Sequence, residues 1–73
     1  MSTALSKTLE ETRQNIHEAV AAENGSERQR SAAHHAQSLA NTILLDPAAD
    51  QSQRDKANYY LEEAIGIQTL RAN

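Results

Sequence analysis

Cysteine, phenylalanine and tryptophan are all absent from this chain, and proline occurs once. Without cysteine there is no disulfide, no thiolate nucleophile and no thiolate metal site. That lack also fits a reducing compartment. With no Phe or Trp the interior must be built from aliphatic residues, and large ones are few. Alanine supplies 13 of the 28 hydrophobic residues, and besides one Met and two Tyr there remain only seven Leu, four Ile and one Val. Long apolar runs are missing too. None approaches the roughly 20 residues that span a bilayer, and Met1 to Leu9 lacks the apolar stretch and cleavage site of a signal peptide. A cytoplasmic protein is the expectation. Nor is there an excess of positive charge: seven Lys and Arg stand against ten acids, a formal net charge of −3. Nucleic-acid binders concentrate basic residues on one face, so DNA, RNA and anionic membranes are not expected as main partners.

What is present is helical periodicity. Asn24-Gly25 and Pro47 are the strong breakers, with Gly66 a weaker third, and they leave three segments of four large aliphatics each. In the first, Leu5, Leu9, Ile16 and Val20 fall within one arc at about 100° per residue, with Thr12 and Ala19 between them. This predicts an amphipathic helix over about 3–23, stopped by Asn24-Gly25. Ser26-Glu27-Arg28-Gln29 reads as a capping box, with the Ser26 hydroxyl on the Gln29 amide and the Gln29 side chain reaching back. A helix over about 27–45 follows, with Ala32, Ala36, Ala40 and Ile43 as its buried stripe. For the third helix, over about 48–70, two starts compete: Pro47 as first helical residue after an Asp46 cap, which is favoured, or Asp50 capping with Gln53. Its inner arc is Ala57, Leu61, Ala64 and Gln68, flanked by Tyr60, Ile65 and Ile67. Short linkers make neighbouring helices antiparallel. The expected fold is all-α, a single domain: an up-down-up three-helix bundle, or a helical hairpin plus third helix. A domain below about 70–80 residues rarely gains more than about 3–5 kcal/mol from its core, so completion by homodimerisation is expected.

Chemistry-bearing residues are sparse. A helical metal pair needs spacing of about three or four residues, and His34 and His35 are adjacent, diverging by about 100°. A metal- or pH-responsive module of His17, His34 and His35 would need His17 to meet His35 across helices. Arg28, Arg30, His34 and His35 form the most basic stretch, and the Arg28, Arg30 and His34 surface is the basis of an alternative reading as a nucleic-acid-associated regulator. Tyr59 and Tyr60 cannot both face inward; Tyr59 points out, and Leu70 shares its azimuth with Gly66 between them, a candidate partner-binding patch. Gly66 marks either a close approach by another helix or the true helix end. The carboxylates occupy polar faces and cap positions, no Glu-x-x-His pair or Gly-rich phosphate loop occurs, and a bundle this small has little room for a pocket of about 300 Å³. No catalytic residue, cofactor or metal is therefore expected.

The runs Thr42-Ile43-Leu44-Leu45-Asp46-Pro47 and Ala57-Asn58-Tyr59-Tyr60 resemble parts of successive tetratricopeptide repeats. The likeness covers ten residues; the aromatic and glycine positions of the full pattern of about 34 residues are missing elsewhere, and membership is not assigned. The expectation is a non-enzymatic interaction protein, a regulator, adaptor or inhibitor of a larger protein. Phage and other mobile elements often encode compact proteins of this size and class, an analogy only.

Overall fold

The computed structural model describes residues 3–72, with side chains from 4 to 69. Three helices make up all of its regular structure among the described residues: α1 (Thr3–Ala21), α2 (Glu27–Leu45) and α3 (Gln51–Ala72). They form an elongated bundle of 39 × 17 × 14 Å. Leu5 at the start of α1 packs with Ile43 at the end of α2 and Ala57 near the start of α3. Ala19, Ala32 and Ala33 meet at the other end, with Ile67 against them. Consecutive helices are thus antiparallel, and the order is up-down-up. The seam between α1 and α3 is the thinnest of the three.

The predicted stripe of α2 is buried throughout: Ala32, Ala36, Ala40 and Ile43 all face the core, joined by Ala33. On α3, Ala57 and Ala64 are fully buried, while Leu61, Gln68, Tyr60 and Ile67 are partly covered. Alanine permits close axial approach, because interhelical distance follows the side chains at the contact. Thr12 is also fully buried. Its hydroxyl donates to the Thr8 carbonyl at 2.7 Å, so its oxygen is satisfied inside the helix.

Val20 departs from the expected arc. It is 65 % exposed, whereas its neighbour Ala19 is fully buried.

 One residue is a turn of about 100°, so once Ala19 takes the inward direction Val20 swings out to solvent.

The caps explain the boundaries. Helix α1 ends at Ala21, two residues before the expected limit, and Gly25 follows in the left-handed region at φ 79°. Ser26 caps α2 by accepting from the Gln29 N–H at 3.1 Å. The other half of the expected box is redirected: the Gln29 side chain accepts from Gly25 N–H at 2.9 Å rather than from Ser26, whose N–H goes to the Glu23 carbonyl at 3.1 Å. Helix α3 starts at Gln51, not at Pro47 or Ala48. Asp50 Oδ1 accepts from Gln53 N–H and Gln53 Oε1 accepts from Asp50 N–H, at 2.8 and 2.9 Å, a complete capping box. Pro47 instead lies in a tight turn closed by Ala49 N–H on the Asp46 carbonyl at 3.1 Å, with Ala48 N–H on Asp46 Oδ1 at 2.8 Å. That turn drives Ala49 into the core. Past Gly66, α3 continues to Ala72.

Candidate interaction surface

Tyr59 stands outside the bundle, 60 % exposed, with its ring edge-on to that of Tyr60 at a centroid distance of 5.6 Å. Tyr60 in turn packs on the Ile16, Ala36 and Ala64 cluster. One tyrosine thus anchors the other, which presents its ring from a rigid helix. Gly66 is exposed, and a Cβ built there meets nothing within 4 Å. The helix does not end there, and among the described residues no segment approaches closely enough to require glycine. The side chain of Leu70, the third member of the expected patch, lies outside the described residues.

The basic stretch is brought together differently. Arg28 reaches across to α1 and bonds Glu18 through its Nε. Arg30 lies 3.7 Å from Glu27 on its own helix. The Arg28 hydrogen bond, then its charge, hold the Glu18 carboxyl below its ordinary 4.5, and Glu18 raises the Arg28 guanidinium in return. Both cations are therefore matched by an acid, which weakens this face as a phosphate-binding surface. His34 and His35 are exposed and, with Arg28, Gln14, Asn15 and Glu18, line an open hollow of about 600 Å³ between α1 and α2. It exceeds the room expected of so small a bundle, but it is a surface depression between helices. His17 is exposed on α1 and is not among the residues lining the hollow. Among the described residues no group of three His, Cys, Asp or Glu is placed to hold a metal ion. None of the described helices is long and apolar enough to cross a membrane.

Two further features belong to the surface. Leu45, at the end of α2, is the most exposed of the large apolar residues among those described, at 83 %, and Ile65 is 44 % exposed. The second is legible without coordinates: no Asp, Glu, Lys or Arg occurs between Arg30 and Asp46. Ser31, His34, Ser38, Asn41 and Leu45, all exposed, leave the outer face of α2 without a formal charge beyond its first turn, which carries Glu27 and Arg30. By contrast α1 carries Glu10, Glu11 and Arg13, and α3 carries Asp55, Glu62 and Glu63 on exposed or half-exposed positions. Comparison with protein-family models, with curated proteins and with solved structures gives no match to this chain.

Proposed function

We propose that this chain is a non-enzymatic helical protein that acts through protein–protein contact, as a regulator, adaptor or inhibitor of a larger protein, and that it pairs with a second copy of itself. The observation that carries the reading is the placement of its scarce large apolar side chains. Val20, Leu45, Tyr59 and Ile65 stay outside while alanine fills much of the interior. Apolar groups left in water on a bundle this poor in them favour a protein surface as their cover. The α2 outer face supports the self-pairing part. Interface cores are depleted in charged residues, and a two-fold contact sets each face against its own copy. An uncharged face escapes the like-charge repulsion that the acidic faces of a chain with net charge −3 would meet. A place among the compact regulators of phage or mobile elements remains an analogy of size and class.

Light scattering across a concentration series tests the pairing. The expected mass is that of two chains, falling to one on Leu45→Glu with the helical circular dichroism retained. A native mass of one chain at every concentration, together with high thermal stability, removes the homodimer. For the partner-binding part, Tyr59→Ala should leave folding nearly intact and weaken capture of whatever protein the native chain retains from its host's lysate. Unfolding by Tyr59→Ala would contradict the outward placement.

A further inference from the structure

We propose that Asn24-Gly25 is a site of spontaneous deamidation held in check by the buried carboxamide of Gln29. The chemistry needs only water. Gly25 N loses its proton to hydroxide and attacks Asn24 Cγ; the bond from Cγ to the side-chain nitrogen breaks, and ammonia leaves with a proton drawn from water. Water then opens the resulting five-membered imide at either carbonyl, giving aspartate or isoaspartate, with no change of oxidation state. A glycine after the asparagine leaves the attacking nitrogen unshielded. Both residues are exposed, and the space where a Cβ of Gly25 would lie is open for 4 Å.

Gln29 engages both reacting groups. Its Oε1 accepts from Gly25 N–H at 2.9 Å, and its Nε2 donates to Asn24 Oδ1 at 3.3 Å and to the Ala19 carbonyl at 3.2 Å. The side chain is only 5 % exposed. These contacts pull in opposite directions. Donation to Oδ1 favours the negative charge that builds there during attack. Ring closure, however, destroys the Gly25 N–H and leaves Oε1 of the largely buried Gln29 without its donor. The bond to Gly25 is the shorter of the two and is the one the reaction consumes, so the clamp slows the reaction. Its anchor on Ala19 also resists the rotation that would bring Asn24 Cγ over Gly25 N. Modification would put a carboxylate just beyond the C-terminal end of α1, where the helix dipole disfavours negative charge.

The test follows the intact chain at mildly alkaline pH by mass spectrometry, with fragmentation to locate the change. Gln29→Met, which keeps length but bonds neither group, should convert at Asn24 about tenfold faster than the native chain, the worth of one lost hydrogen bond. Ser26→Ala serves as a control, loosening the start of α2 while keeping the clamp, and should convert at close to the native rate. The proposal is overturned if Gln29→Met is no faster than native, if Ser26→Ala accelerates conversion equally, or if the change maps elsewhere. Should Gln29→Met lose its helical signal, hydrogen exchange of the native Gly25 amide decides: slowed exchange supports the clamp, and exchange at the rate of a free peptide overturns it.

Discussion

Where α2 turns into α3, Leu5 and Ile43 pack with three alanines, and Leu9, Leu44 and Leu61 close around them. At the opposite end, where α1 turns into α2, the cluster is Ala19, Ala32 and Ala33, with only Ile67 beside it among the described residues. The first end is held by apolar area, at about 25 cal/mol per Å² removed from water. Alanine offers little such area, so the second end relies on specific polar contacts: Gln29 on Ala19, Asn24 and Gly25, and Arg28 on Glu18. A small chain without Phe or Trp can thus close a bundle in two ways, one tolerant of geometry and one dependent on it.

The largest effect should come from the apolar end. Ile43 is fully buried, and Ile43→Ala should cost about 2–4 kcal/mol in urea denaturation. Ile67→Ala at the other end should cost roughly half as much, because Ile67 is only partly covered. Equal losses would abolish the distinction between the two ends.

Gln29→Met ranks next. It removes a buried side chain's three hydrogen bonds and leaves the Ala19 carbonyl and Gly25 N–H to find water, at a cost of about 1–3 kcal/mol. A loss below a few tenths of a kcal/mol would mean that the alanine packing alone holds this end.

The same contrast decides what the sequence could reveal. Periodicity located the stripe Ala32, Ala36, Ala40 and Ile43, because burial repeats with the helical turn. It failed at Val20, since the arc is wide and only a neighbouring helix determines which residue takes its centre. Two adjacent start signals competed for α3, and the box formed by Asp50 and Gln53 prevailed over Pro47 because it satisfies two end groups rather than one. Tyr59 was readable as outward because Tyr60 is its neighbour. The capping motif revealed that Gln29 would bond near Ser26, but the redirection to Gly25 and Asn24 depends on where the left-handed turn puts those groups. Arg28 meeting Glu18 is a contact between helices that spacing along the chain does not encode.

The smallest effect belongs to that ion pair and has a definite sign. Arg28, by its hydrogen bond and then its charge, lowers the Glu18 carboxyl from the ordinary 4.5, so the folded chain binds fewer protons than the unfolded one in this range. The stabilisation is fully present above the unfolded value and is lost as pH falls through the lower, folded one. Glu10 behaves alike, held down chiefly by its hydrogen bond from Arg13. The raised Arg28 acts only at the alkaline extreme: its contribution is complete below the unfolded value and constant at ordinary pH. With Arg28 and Glu18 side chains 67 % and 44 % exposed, solvent and salt screen most of the attraction. Melting temperature should therefore decline modestly below about pH 4.5 at low ionic strength, and the decline should shrink in about 1 M salt, where the screening length is about 3 Å. Glu18→Gln should flatten part of that acid limb while leaving Glu10's share. An acid limb identical in native and Glu18→Gln chains would show that the polar end owes its closure to the uncharged Gln29 contacts alone.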